Sequence, residues 1–329
     1  MKDFKGKIAF ITGGASGAGL GQAKVFAKAG MRVVIADIRL DALHNAVSEI
    51  VSYAGCNIGD ILPLCFDLTD RKAYIAAADS VEKVFGGPPH LLIQTAGVNS
   101  FGPVEASEFD DFDWVVSVCF DHVVNGLVIF VPRMIRAYGG KDGVPKEEFH
   151  IAATSSAGAF GAGPVTGPYS AAKAAVNNLM YSYAVSLRIY GAGVTVLCPF
   201  NINSNIGNSE RYRPDHLRHT GYHVSDGTMA ALSAVHAEGI DPIELAEILK
   251  EGIENRRIIV LPFRDFDEWT RTLDGYHKTE SDYMLTEFER NKNAPPPQDF
   301  RMTVPKGAEP FGGARKDLDY IDPSKNPKY

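Results

Sequence analysis

From residue 7 onward, short runs of aliphatic and β-branched residues alternate with longer amphipathic stretches, and this alternation limits the available folds more than any other feature. The runs read KIAFIT at 7–12, RVVIAD at 32–37, ILPLCF at 61–66 and HLLIQ at 90–94, with further runs at 149–153, 194–197 and 257–261. Strands that are apolar at nearly every position are covered on both faces, and parallel neighbours need a crossover segment between them. Residues 20–29, 42–53 and 71–85 have the length and pattern of such crossover helices. With right-handed crossovers, the expected architecture is an α/β, doubly wound parallel sheet of Rossmann type.

That domain is expected to span residues 1–262, with a long insertion at about 201–239 acting as a lid before a helix at 242–254. Residues 263–329 change character. They are charged and Pro-rich (APPPQDF, YIDPSKNPKY) and read as a C-terminal extension, a helical segment followed by an extended tail.

A net charge of −7 with no cluster of Lys and Arg argues against a nucleic-acid partner. The N-terminus lacks an apolar signal region, and no apolar run looks close to the ~20 residues of a membrane span. The four cysteines, at 56, 65, 119 and 198, form no C-x-x-C pair, which fits reduced thiols in a cytoplasmic protein. His216, His219 and His223 lie close together, but no acid stands at ligand spacing, so no metal is expected.

The segment Thr12-Gly-Gly-Ala-Ser-Gly-Ala-Gly19 joins the first strand to the first helix. Glycines there allow a tight turn and close approach of a ligand to the backbone. The helix start behind them offers unpaired N–H groups to a pyrophosphate. Asp37 ends the second strand about 20 residues on, where a carboxylate binds ribose hydroxyls and repels a 2′-phosphate; it also suits a helix cap. NAD is therefore favoured over NADP, although Arg39 softens that preference. Asp67 is placed either to accept from adenine or to cap the next helix.

Tyr169 and Lys173 stand four residues apart at the start of a helical run and share one face. A cation beside a tyrosine lowers a phenol pKa that normally lies near ~10, which makes the tyrosine a usable acid and base. Ser156 lies thirteen residues earlier, just past the run at 149–153, and is suited to hold a substrate oxygen; Ser155 is a neighbouring candidate.

Together, in this order and spacing, these motifs resemble the short-chain dehydrogenase/reductase family over about residues 5–262. The resemblance implies an NAD-dependent enzyme with Tyr169 as general acid/base, Lys173 lowering its pKa and Ser156 positioning the carbonyl. It carries over a cofactor set of Thr12, Gly13, Ser16, Gly17, Gly19, Asp37, Asp67, Leu68, Ala96, Gly97, Tyr169, Lys173, Pro199, Ile202 and Ser204. A homodimer or homotetramer is implied, with helices around 109–137 and 169–190 at the interface. The segments TGGASGAG, TAGVNSFGP, FVPRMI and GPYSAAKAA look like those of bacterial Cα-dehydrogenases of lignin-derived β-aryl ethers, which oxidise a benzylic alcohol to a ketone. The substrate class implied is an aromatic alcohol or ketone, and the aromatics Tyr212 and Tyr222 in the insertion suit it.

Several positions depart from the family pattern. Gln94 replaces an asparagine, Phe200 a glycine and Ser204 a threonine. Cys119 stands where an asparagine normally holds a water near the lysine, and His122 stands in place of a glycine. A thiol cannot reproduce the bonds of an amide. One turn away, His122 is expected either to take over the proton relay or to be a packing histidine. The competing readings are a non-catalytic dinucleotide sensor and an NAD-binding enzyme whose net reaction is not redox. Retention of the tyrosine, lysine and serine together argues against the sensor.

Overall fold

The computed structural model describes residues 1–161 and 163–262; the reading of 263–329 as a C-terminal extension lies outside the described residues. The apolar runs become seven strands: β1 (Ile8–Thr12), β2 (Arg32–Asp37), β3 (Ile61–Cys65), β4 (Leu91–Gln94), β5 (His150–Thr154), β6 (Gly193–Leu197) and β7 (Ile259–Val260). All pair in parallel, in the order β3-β2-β1-β4-β5-β6-β7. The order reverses direction between β1 and β4, so a crevice opens at their carboxyl ends, where ligands bind in such sheets. Register sets Thr12 of β1 between Ala36 of β2 and Gln94 of β4 at that rim.

Alternation along each strand feeds two cores. Ala9, Ile11, Val33 and Ile35 face α1 (Gly17–Lys28), α2 (Leu40–Ala54) and α8 (Pro242–Glu254) through Phe26, Leu43, Ile50, Leu245 and Leu249. Phe10 and Val34 face the other side. There they pack with Tyr74 and Val81 of α3 (Arg71–Phe85), Phe130 and Met134 of α5 (His122–Tyr138), and Val176 and Met180 of α6 (Gly167–Ser186). Helix ends follow local chemistry: Asp70 caps α3 by accepting from the N–H groups of Lys72 and Ala73, and Gly86 ends it in the left-handed conformation.

Two sequence expectations change. Helix α4 (Phe109–Val116) runs through a π turn, Ser117–Asp121, into α5, giving a continuous helix Phe109–Tyr138. An 18-residue window of it has a mean hydropathy of 1.9, long and apolar enough to cross a membrane by length and composition, contrary to the reading of the sequence. It serves instead as a core helix, with 61% of that window buried inside the protein. The insertion at 201–239 is also more ordered than a loop. It holds 3₁₀ turns at Asn205–Tyr212 and Asp215–Leu217 and a helix α7 (Asp226–Ala237), which Ser225 caps by accepting from the Thr228 N–H.

Candidate active site

The glycine-rich loop leaves β1 at Thr12 and enters α1. Gly13 has φ +66°, and a Cβ there would stand 2.9 Å from the Ala96 backbone. A Cβ on Gly19 would stand 2.2 Å from the Gly13 carbonyl oxygen. Both positions therefore exclude any larger residue. No side chain caps the start of α1. Ser16 would do so, but its hydroxyl accepts from Arg39 Nη2 at 2.8 Å.

Thr12 is the hub beneath this loop. Its Oγ1 accepts from the Thr95 and Ala96 N–H groups at 2.8 and 3.1 Å and lies 3.3 Å from His122 Nε2. The other ring nitrogen of His122 bonds the Val118 carbonyl, which can only accept. Nδ1 therefore carries the proton, and Nε2 accepts from the threonine hydroxyl. The fully buried ring is held neutral, with its pKa lowered to about 3 chiefly by burial and secondarily by the charge of Lys173. Both ring nitrogens are thus engaged and tie the start of α5 to Thr12 at the foot of the glycine loop.

A neutral buried histidine gives a testable pH dependence. Its folded pKa lies below the unfolded value near ~6.5, so the unfolded chain binds a proton that the folded one does not. Stability is therefore lost as pH falls from about 6.5 toward 3, by an amount on the order of a few kcal/mol for this residue. Urea unfolding as a function of pH should show a slope smaller by up to about one proton in His122→Asn; an unchanged slope would count against this assignment.

On the other side of the crevice, Ser156 starts a short turn after β5, and its Oγ accepts from the Gly158 N–H at 3.1 Å. It is also near enough to Tyr169 to draw the pKa of the phenol downward. Tyr169 sits in the first turn of α6, after Pro168, and Lys173 follows one turn later. The lysine Nζ is 5.5 Å from the tyrosine ring centroid and donates to the Thr154 carbonyl at 2.9 Å. Ser155 donates to the Lys173 carbonyl at 3.0 Å, so this second serine braces the helix.

Burial dominates the electrostatics of the pair. It pushes Tyr169 above the ordinary phenol range, with only Ser156 pulling down, and holds Lys173 below the ordinary ammonium range.

Cys119, on the π turn, is fully buried. Its thiol donates to the Val98 carbonyl at 3.1 Å and accepts from the Val98 N–H at 3.4 Å, while burial raises its pKa. A Cβ on Gly97 would lie 3.4 Å from Lys173 Nζ and 3.6 Å from Cys119 Sγ, so these three positions meet. Gln94 reaches α5, where its Nε2 donates to the Val123 carbonyl at 3.0 Å.

Asp37 closes the far end of the crevice, only 6% exposed. Asp67 is exposed; its Oδ1 accepts from the Thr69 N–H and hydroxyl, both at 2.8 Å, so the cap of α3 falls to Asp70. Leu68 is buried beside it, and its carbonyl accepts from Asn125. Ser204 lies over the glycine loop, 3.0 Å from where a Cβ on Gly17 would stand. Ile202 bridges Ile240, and the Pro199 carbonyl accepts from the Ala157 N–H at 2.8 Å, which ties the start of the insertion to the serine turn. Among the described residues, no group of three His, Cys, Asp or Glu is placed to hold a metal.

Sequence reasoning missed several supporting groups. Thr95 Oγ1 donates to Gln22 Oε1 at 2.6 Å and lies 2.8 Å from Thr154 Oγ1, a buried polar chain that fixes the rim of β4 and β5. The insertion is anchored by Arg213, whose Nη1 contacts Asp111 at 2.8 Å and Glu210 at 3.2 Å and whose guanidinium lies over Trp114. Partners 102 residues apart leave no local pattern to find.

The chain matches the short chain dehydrogenase family over residues 7–214. It is 47% identical to the C alpha-dehydrogenase of a Sphingobium species over 268 residues, covering 82% of this chain and 84% of that protein. The apo crystal structure of LigD from Sphingobium superposes with a TM-score of 0.67 at 40% identity, over 85% of this chain and 98% of the other. A short-chain dehydrogenase/reductase from Burkholderia phymatum in complex with NAD superposes with a TM-score of 0.75 at 29% identity, over 87% and 97%. By that family match and the 47% identical relative, the chain belongs to the short-chain dehydrogenase/reductase family.

Proposed function

We propose that this protein is an NAD-dependent oxidoreductase that interconverts a secondary benzylic, lignin-derived aryl alcohol and its ketone, with Tyr169 as general acid and base. The observation that carries it is Lys173 Nζ set 5.5 Å from the centre of the Tyr169 ring, with Ser156 at the carboxyl end of β5 across the crevice from the glycine loop. The C alpha-dehydrogenase relative supports the substrate class, and the NAD complex of the Burkholderia relative supports the cofactor.

The residues fit NAD. Gly13 and Gly19 form a cradle that a Cβ would fill, and the uncapped start of α1 presents N–H donors to a diphosphate. Thr12, Ser16 and Gly17 complete that cradle. Asp37 takes ribose hydroxyls, with Asp67 and Leu68 bordering the base. Ala96, Gly97 and Lys173 hold the second ribose, and Pro199, Ile202 and Ser204 border the nicotinamide. Bound NAD supplies the acceptor for the hydride of the carbinol carbon. Ser156 donates to the reacting oxygen, and Tyr169 removes its proton as the carbonyl forms. Cys119 keeps its thiol proton on the Val98 carbonyl, and His122 holds Thr12; both are positioning residues.

The raised pKa of Tyr169 fixes the sign of the pH profile. Oxidation needs the phenolate, whose fraction grows tenfold per pH unit while pH stays below the pKa. kcat/KM for a benzylic alcohol should therefore climb with near-unit slope from about pH 7 to 9, while ketone reduction, which uses the phenol, stays flat. NADH absorbance across a panel of benzylic secondary alcohols and aryl ketones tests the whole reading. NADH binding with no turnover on any of them would overturn it.

A cytoplasmic homo-oligomer acting on small molecules completes the reading. The four free cysteines support the compartment, and the exposed Phe109, Val128 and Val185 on α4, α5 and α6 support the assembly.

A further inference from the structure

Tyr212 was read from the sequence as one of the insertion's aromatics suited to an aryl substrate. Its contacts lie elsewhere. The guanidinium of Arg39 lies over its ring, 5.3 Å from the ring centre. Arg39 in turn spans the two cofactor-loop residues Asp37 and Ser16. Its Nε donates to Asp37 Oδ1 at 3.0 Å, and its Nη2 donates to Asp37 Oδ2 at 3.1 Å and to Ser16 Oγ at 2.8 Å.

The carboxylate of Asp37 is fully used in this arrangement. Oδ1 accepts from the Arg39 N–H and Nε, and Oδ2 accepts from Nη2 and from the Ala15 N–H at 3.4 Å. Two carboxylate oxygens offer about four acceptor sites. Ribose hydroxyls that donate to Asp37 must therefore replace side-chain bonds of Arg39. A guanidinium so displaced still has Tyr212 and Ser16 as partners, so it stays at the edge of the ribose rather than moving into solvent.

Position separates this pair from the reacting end. Asp37 ends β2, and Ser156 follows β5, three strands away in the sheet. Strand spacing sets these ends on the order of 14 Å apart. Tyr212 is 48% exposed and Ile38, beside Asp37 in the chain, is 60% exposed, so the wall around Arg39 is open and partly apolar. A planar guanidinium, a phenol ring and an isoleucine suit the face of a purine base.

We propose that Arg39 and Tyr212 form the outer wall of the adenosine end of the NAD site, so that the insertion after β6 contributes a cofactor-recognising side chain as well as a substrate lid. The inference rests on the reading of Asp37 as the ribose-binding acid.

The test uses NAD titrated by calorimetry into the whole chain, and 5′-AMP, which carries only the adenosine end, as a competitor. Tyr212→Ala should weaken NAD and 5′-AMP by the same factor, about 3- to 10-fold. Tyr212→Phe keeps the ring and should retain most of the affinity. The Arg39→Ala and Tyr212→Ala effects on NAD affinity should combine to less than their product, because the two side chains act as one wall. NAD and 5′-AMP affinities within twofold of wild type in Tyr212→Ala, with binding lost in Asp37→Ala, would overturn the inference and leave the reading of Asp37 standing. Weakened NAD with unchanged 5′-AMP would place Tyr212 at the nicotinamide end and also overturn it. An Asp37→Ala variant that binds NAD like wild type would remove the reading of Asp37 and the inference together.

Discussion

Tyr169→Phe should lower alcohol oxidation by about 10²- to 10⁴-fold while leaving NADH affinity within about a factor of two. The substitution removes only the hydroxyl proposed to exchange the proton. Its neighbours have independent supports: Ser156 keeps the bond from the Gly158 N–H, and Lys173 keeps its bond to the Thr154 carbonyl. The ring remains packed beside Trp114, Cys119 and Ala172, so the pocket wall survives. NADH absorbance for turnover and NADH fluorescence for binding separate the two effects. A variant that retained more than about a tenth of wild-type turnover would take the proton transfer away from Tyr169.

The largest effect on stability is expected at Asp111. Its side chain is fully buried, and it binds Arg213 Nη1 at 2.8 Å, the Tyr222 N–H at 3.0 Å and the Glu108 N–H at 3.0 Å. Arg213 is itself only 2% exposed. Asp111→Ala strands a buried guanidinium, which costs about 3–5 kcal/mol when a buried pair is broken from one side. Glu210 lies 3.2 Å from the same nitrogen and offsets part of that loss, so the lower half of the range is expected. Urea unfolding checks the magnitude, and a change below about 1 kcal/mol would show that Glu210 alone suffices. The KM for the alcohol should rise as well, because the 3₁₀ turns of the insertion lose their anchor on α4.

The strands were legible because burial on both faces writes an unbroken apolar run, and β2 and α3 have the bounds read from the sequence. The start of α1 was read three residues late, because its first turn, Gly17–Gly19, is poor in helix formers. Helix α7 was hidden inside an apparent loop. Its Ser225 cap and the AALSAV run were the available signal, diluted by the glycines and polar residues around them. The π turn at Ser117–Asp121 left no mark in the sequence, yet it sets where Cys119 and His122 face. Of the site, the covalently local part was readable: the glycine loop, Asp37 and the Tyr169–Lys173 spacing. The partners of Cys119, His122 and Arg213 depend on contacts between distant segments, and no spacing rule reports those.

Gln94 and Gly126 carry a consequence for how this sequence can change. A Cβ added at Gly126 would stand 2.2 Å from Gln94 Oε1 and 2.6 Å from the Tyr74 hydroxyl. Glycine inside a helix is disfavoured by roughly 1 kcal/mol relative to alanine, so drift at this position runs toward alanine unless something opposes it. The amide at 94 and the phenol at 74 oppose it together, so a side chain at 126 requires both a shorter residue at 94 and a shift of the Tyr74 ring.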